Sequence, residues 1–362
     1  MSNNARCDRM WYKYAMCLLG CAATPLFADM GTNTTQPVAT DEDLFLKNKA
    51  ASFINLEFLY WTVNESATDY ALKMKHPAWS TTDQTYAIGE FENATFDWGP
   101  GVRISGGYFR APHFWDAYAQ YTFLHAEGEN ESHAPNESNR FLTGTWIGPD
   151  FNTGSPPAPL HSAKSNIDFY YNLVDILFSR RFHPNDHLRL NLFGGGTGAF
   201  FHQHWKVRYT DINAKHSTIR NGWSFAGAGL RLGLKVDWFM GYNIYITGMS
   251  SSALLSGKYE NGAHQKTSAT IAGANNGIPF RNTHFDDVRL TFNAQFLAGP
   301  SWQKAFNSVR TEFFVGYEFT MWTNLHAIYR SSLAAATAGK DTYINNSDVC
   351  LQGLTVRWTL DF

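Results

Sequence analysis

The last twelve residues constrain this chain more than any other feature. In LQGLTVRWTLDF (351–362), Leu354, Val356, Trp358, Leu360 and Phe362 take every second position. Gly353, Thr355, Arg357, Thr359 and Asp361 take the positions between them. Successive side chains of a strand point to opposite faces, so this segment is apolar on one side and polar on the other. The alternation runs for the ~9–11 residues that a tilted strand needs to cross a bilayer. It ends flush on an aromatic residue, where the terminal strand of a soluble protein normally frays.

The rhythm recurs along the chain. Val102, Ile104 and Tyr108 oppose Arg103, Ser105 and Gly107, and Trp115, Ala117, Ala119, Tyr121 and Phe123 oppose Asp116, Tyr118, Gln120 and Thr122. Ile167, Phe169, Tyr171 and Leu173 oppose Asn166, Asp168, Tyr170 and Asn172. Leu188, Leu190 and Leu192 alternate with Arg189 and Asn191, and Leu230, Leu232, Leu234 and Val236 with Arg231, Gly233, Lys235 and Asp237. Val288, Leu290 and Phe292 face away from Arg289 and Thr291, and Phe313, Val315 and Tyr317 away from Glu312 and Glu318. Charged residues make up 17% of the chain and aromatics 16%. Beyond the N-terminus no apolar run approaches the ~18 residues of a membrane helix, which excludes a helical membrane protein. A net charge of −2 supplies no basic field for nucleic acid. What fits is an all-β, transmembrane, antiparallel up-and-down β-barrel, in which lipid-facing and lumen-facing residues alternate.

Connections set the strand count. Short turns are expected at 110–114, 183–187, 238–241 and 301–306, and long polar stretches at 64–96, 128–162, 209–221, 259–283 and 323–347. Short and long connections alternate, as periplasmic turns and extracellular loops do. This predicts ten strands, or twelve if 67–75 and 85–92 also pair. Aromatic residues near the turns (Tyr60, Trp61, Trp98, Phe114, Trp115, Trp223, Trp238, Phe239, Trp302, Trp322, Trp358) are expected in interfacial girdles.

The N-terminus reads as an export signal. Arg6, Arg9 and Lys13 precede an uncharged apolar stretch (14–27), and Ala28 offers a cleavage point. A second reading takes Leu18–Cys21 as a lipoprotein box with Cys21 lipidated. The expected organisation is a signal over 1–28, a flexible periplasmic lead-in over 29–50 and the barrel over 51–362. Cys7, Cys17 and Cys21 fall within the signal, leaving Cys350 with no partner for a disulfide. Asn-x-Ser/Thr triplets beginning at Asn33, Asn64, Asn93, Asn130 and Asn136 are read as loop composition.

Six segments carry a family resemblance: 55–73 (NLEFLYWTVNESATDYALK), 97–125 (DWGPGVRISGGYFRAPHFWDAYAQYTFLH), 170–209, 223–234 (WSFAGAGLRLGL), 315–322 (VGYEFTMW) and 351–362. Together they resemble the pore-forming, major-outer-membrane-protein-like family of legionellae and chlamydia-related bacteria. The resemblance covers most of the chain beyond the signal and implies an integral outer-membrane barrel with porin-like function and no catalytic residues. The terminal strand, through Trp358, Leu360 and Phe362, also resembles the signal recognised by the barrel-assembly machinery.

The expected lumen set is Arg103, Asp116, Asp168, Arg189, Arg231, Lys235, Arg289, Glu312, Glu318 and Arg357, with Asp237, Arg310 and Asp361 on the same face. Opposed acidic and basic rows suit either an open pore with a transverse field or a barrel plugged by ion pairs. Ten strands enclose little more room than the eight whose side chains fill the interior. The expectation is a small, weakly selective channel for solutes or ions; the alternative is a non-conducting structural or adhesin-like barrel acting through its loops. Its partners would be outer-membrane lipid, the assembly machinery and small solutes, with homo-oligomers left open, and no cofactor is expected.

Other groups carry weaker signals. His284 with Asp286 and Asp287 can form an Asp–His pair, but the second carboxylate pair of an omptin-type protease is not evident. His125 and His187 have no convincing serine partner. His202 and His204 share a strand face at a spacing compatible with a metal, though solvated histidines are commoner. Gly194–Gly196 lacks the Lys-Ser/Thr of a phosphate loop and reads as a close approach of strands.

Overall fold

The computed structural model describes residues 50–74, 89–110, 115–136, 140–146, 160–185, 187–212, 214–267, 279–306, 309–331 and 342–362. The expected signal and all but the last residue of the lead-in lie outside them, as does Phe114. The strands are β1 (Ala51–Glu65), β2 (Asp69–Met74), β3 (Gly89–Asn93), β4 (Gly99–Arg110), β5 (Trp115–His133), β6 (Phe141–Gly144) and β7 (Leu160–Asn185). They continue as β8 (Leu188–Asp211), β9 (His216–Gly241), β10 (Ile244–Thr267), β11 (Pro279–Phe306), β12 (Val309–Ser331) and β13 (Thr342–Asp361).

Ten of these strands form a closed antiparallel ring, in the order β7, β5, β4, β1, β13, β12, β11, β10, β9 and β8, with β8 returning to β7. The seam joins the two ends of the described chain: β1 pairs with β13 from Phe53↔Asp361 to Glu65↔Val349. Closure pairs the ring strands with neighbours on both sides through the lower half, the condition for a sheet to sit in lipid. The segments whose pairing left twelve strands open do pair, as β2 with β3, but outside the ring. With β6 they form a small sheet hung from β7 at Leu142↔Leu160.

The outward face of the ring's lower half is apolar. Leu56, Phe58, Ile104, Ile176, Phe178, Leu192, Leu230, Leu232, Leu290 and Val315 are all exposed in the isolated chain, Leu230 and Leu232 by 72% and 71%. A belt that continuous is far larger than the patches soluble monomers show. Trp115, Trp238, Trp302 and Trp358 point outward at the end that carries the short connections. Trp302, Phe313 and Trp358 stack in a row, with ring centroids 6.3 and 6.0 Å apart. This is the aromatic girdle of the periplasmic interface. Tyr60 and Trp98 stack outside at the other edge. Trp61, Trp223, Phe239 and Trp322 depart from the girdle reading, because all four are buried inside the ring.

The strands continue well beyond the belt. β7 has 26 residues and β11 has 28, against the ~9–11 that span a bilayer. Much of what read as loop is therefore strand: 209–221 is nearly all β8 and β9, with only residues 212–215 between them, and 128–133 prolongs β5. The β9–β10 connection falls at Tyr242–Asn243 instead of 238–241, with φ of 53° and 63° at successive residues. That pair of left-handed conformations is the turn whose twist matches a two-residue hairpin. The glycine-run reading holds at Gly195, where an added Cβ would lie 2.1 Å from the Ile176 carbonyl oxygen.

Candidate channel interior

In the lower half, polar residues alternate with the lipid-facing ones and point inward. Arg103 donates through Nη1 and Nη2 to Glu318 (3.0 and 2.8 Å) and through Nη1 to Glu57 (2.8 Å). Glu318 also accepts from Gln295 (2.5 Å) and Thr355 (2.9 Å). Gln295 in turn accepts from Arg231 (2.8 Å), whose Nε donates to Asp175 (3.0 Å). Arg357 donates to Glu312 (3.0 Å), and Arg310 pairs with Asp361. Arg189 donates to Asp237 (2.9 Å), with Lys235 at 3.7 Å on the other carboxylate oxygen. Asp116 accepts from Ser179 and from Arg181 (3.1 Å). Nearly every charge has a partner at bonding distance, as burial demands.

The network encloses a cavity of about 120 Å³ lined by Glu57, Arg103, Asp116, Asp175, Arg231 and Glu312 among others. Asn55 Oδ1, Asn191 Oδ1 and Arg231 Nη2 line the same residue shell and have no protein partner, so the cavity suits water.

Above this layer the interior changes character. Trp61, Phe169, Tyr171, Phe201, Trp223, Phe225, Tyr259 and Trp322 are all almost completely buried inside the ring. Tyr171 stacks on Phe201 at 4.8 Å, Trp322 meets Phe201 edge-on at 4.8 Å, and Trp223 stacks on Tyr259 at 5.8 Å. Aliphatic Leu59, Leu124, Leu173, Leu255 and Leu351 fill the gaps. A polar cluster is set into this plug: Glu65 Oε2 lies 3.3 Å from His326 Nδ1 and accepts from Gln203 at 3.0 Å. Glu65 lies five residues past Tyr60, the last belt residue of β1. Burial there raises its pKa to about 8, so it is mostly protonated at neutral pH.

Eight of the ten expected lumen residues belong to the lower network: Arg103, Asp116, Arg189, Arg231, Lys235, Glu312, Glu318 and Arg357. Two do not. Arg289 faces inward but sits higher, its guanidinium 3.6 Å from the Tyr259 ring centroid. Asp168 is on the outer wall, because β7 presents Ile167, Phe169, Tyr171 and Leu173 to the interior. The predicted phase of β7 was inverted: its lipid-facing residues are Val174, Ile176 and Phe178, and its lumen carboxylate is Asp175. Glu57 and Arg181 also belong to the network and were not singled out. Glu57 alternates with Leu56 and Phe58 in 55–60, which is the signal that places it inside.

The remaining polar candidates lie outside the ring. His284 Nε2 is 2.8 Å from Asp286, which also lies 3.7 Å from Lys258 on the outer wall. The donor atoms of His125, Glu127 and Asp168 lie within 4.8 Å of one another, and on β8, the strand next to β7, His202 Nε2 is 2.6 Å from His204 Nε2. Glu127 is 68% exposed, so this group is a solvated cluster.

Comparison with known proteins adds the family. The likenesses among solved structures are distant. The outer membrane protease OmpT from Escherichia coli has a TM-score of 0.38 at 8% identity, covering 91% of this chain and 99% of that one. A mutant of the monoaromatic hydrocarbon channel TodX scores 0.24 at 8% identity, covering 86% and 90%. A Pseudomonas aeruginosa FadL homologue scores 0.22 at 7%, covering 87% and 90%. At such scores none bears on what the chain does. Among curated proteins none matches the sequence. A family model described as Legionella pneumophila major outer membrane protein precursor matches residues 47–362, the whole described barrel. With a closed ring of ten strands and its external apolar belt, the chain belongs to this Legionella major outer membrane protein family and is an integral β-barrel of the bacterial outer membrane.

Proposed function

We propose that the barrel is a narrow porin-type channel for small ions or solutes, held shut by its aromatic plug in the conformation described. The observation that carries this reading is the vertical order inside the ring. A chamber with room for several waters, between opposed acidic and basic groups, lies below a layer of fully buried rings. The chamber has the charged rows with which pores select solutes, and the plug is an apolar constriction of the kind that stops ions by excluding water. Arg103, Asp116, Arg189, Arg231, Lys235, Glu312, Glu318 and Arg357 would line the path. The reading is one of transport and not catalysis. Insertion would be guided by the barrel-assembly machinery through the outward row Trp358, Leu360 and Phe362.

A second reading, a non-conducting structural barrel, is favoured by the pairing itself, since Arg103, Glu57 and Glu318 lock three strands together. Conductance in planar bilayers separates the two. The expected result is a nearly silent wild type and a steadily conducting Phe201→Ala/Trp322→Ala variant, both confirmed folded by heat-modifiable gel mobility. A folded variant as silent as wild type makes the barrel structural. Steady conduction by the wild type removes the plug as the barrier.

A further inference from the structure

Above the belt the outer wall is polar, and several of its described cations are paired. Lys164 pairs with Glu129, Lys258 with Glu260 at 2.5 Å, and Lys73 with Glu92 at 2.6 Å. On β8, β9 and β10 the arrangement is different. Lys206 stands directly opposite Arg220, and Arg220 opposite His264. In the next row Arg208 stands opposite Thr218, and Thr218 opposite Lys266. These six side chains line a basin of about 200 Å³. None of the five basic residues has a carboxylate partner among the described residues. Like charges set directly across a strand pair destabilise it, so this wall is incomplete without an anion.

We propose that Lys206, Arg208, Arg220, His264 and Lys266 form a binding site for the phosphate and carboxylate groups of an anionic glycolipid standing in the outer leaflet beside the barrel. Three features select that ligand. Two guanidinium groups match tetrahedral phosphate and planar carboxylate bidentately. The side chains point sideways from the ring, on the same outward face as Phe200 and Leu192, toward neighbours in the leaflet. The height also fits. Lys206 and Arg208 lie six and eight residues above Phe200, the last exposed apolar residue of β8, which is roughly 15–20 Å at ~3.3 Å per residue and a tilt of ~40°. That is the level of a charged saccharide headgroup, above the acyl chains.

The test uses the full folded chain in detergent. The probes are purified lipopolysaccharide, the same material after phosphatase treatment, inorganic phosphate, and dextran sulfate as a soluble polyanion. Wild type should bind lipopolysaccharide with a strong salt dependence. Lys206→Gln/Arg208→Gln/Arg220→Gln/Lys266→Gln should lower the affinity at least about tenfold. Lys164→Gln/Lys258→Gln, which removes paired cations from the same wall, should leave it within about twofold. Phosphatase treatment should weaken binding, and phosphate should compete at millimolar concentration. If the fourfold variant shows lost heat-modifiable mobility, Lys206→Gln and Arg220→Gln singly should each cost about threefold. The proposal is overturned if the patch variants bind as wild type does or if the paired-lysine control loses as much. It is likewise overturned if dextran sulfate binds the patch as tightly as lipopolysaccharide, which makes the ligand a soluble polyanion. Single-channel behaviour should be unaffected by these substitutions, so the result is independent of whether the barrel conducts.

Discussion

The lower and upper halves of the ring are built from the same strands with opposite polarity. On β7, Val174, Ile176 and Phe178 face out in the lower half while Asp175 and Ser179 face in; higher up, Asp168 and Lys164 face out while Ile167 and Phe169 face in. β8 does the same, with Leu192 and Phe200 outside below, and Trp205, Val207 and Tyr209 inside above. On β9, Leu230 and Leu232 are outside below, and Trp223, Phe225 and Ile219 inside above. The solvent of the outer surface causes the switch. Lipid lets the lower half place its apolar residues outside and its ion pairs inside. Water obliges the upper half to bury its apolar residues, as any soluble sheet does.

Four measurements can break or sharpen this contrast. The largest effect should come from the upper interior. Phe201→Ala should cost about 3–5 kcal/mol, as for an aromatic truncated in a packed core. Phe178→Ala, facing lipid that can close around the gap, should cost much less, and equal losses in urea titrations would show that the upper half has no core of its own. Next, Glu318→Ala leaves Arg103 buried with half its partners and should cost about 3–5 kcal/mol. A loss below about 1 kcal/mol would mean that water reaches the lower layer freely. Third, Leu232→Arg in the belt should destabilise by about 2–4 kcal/mol, while Ser224→Arg on the upper outer wall, opposite Glu260, should stay within about 0.5 kcal/mol. The last measurement concerns the pH dependence that Glu65 imposes. Its pKa is raised on folding, so the stability it contributes is complete below the unfolded value near 4.5 and is lost as pH rises toward about 8. The wild type should therefore resist urea better at pH 5 than at pH 8.5, and Glu65→Gln should shrink that difference.

The same polarity switch explains how much of the molecule could be read from its sequence. The ring of ten, the belt and the terminal strand were legible because alternation within the membrane is strict and its apolar face is unambiguous at Leu230–Leu234 or Leu354–Trp358. Asp168 was misplaced because alternation reports only that two faces differ, and Ile167, Phe169 and Tyr171 look the same whether they meet lipid or one another. The tell was the change of phase between Tyr171 and Val174, where the apolar residues move from odd to even positions. Trp223 and Trp322 misled as girdle candidates for the same reason, since nearness to a connection says nothing about which side of the sheet a ring occupies. Three-dimensional pairings such as Arg231 with Asp175, whose strands are not neighbours in the ring, had no sequence signal at all.

The seam between β1 and β13 has a consequence for how the molecule is made. The piece of the barrel synthesised first must wait with one edge open until the piece synthesised last arrives, and backbone bonds between Ser52 and Phe362 then fasten the two. No intermediate length of chain can close the cylinder, so the whole polypeptide has to be escorted unfolded to its destination. Deleting the final strand should therefore leave a product that is degraded in transit, with none of the smaller, stable barrel that a modular repeat would yield.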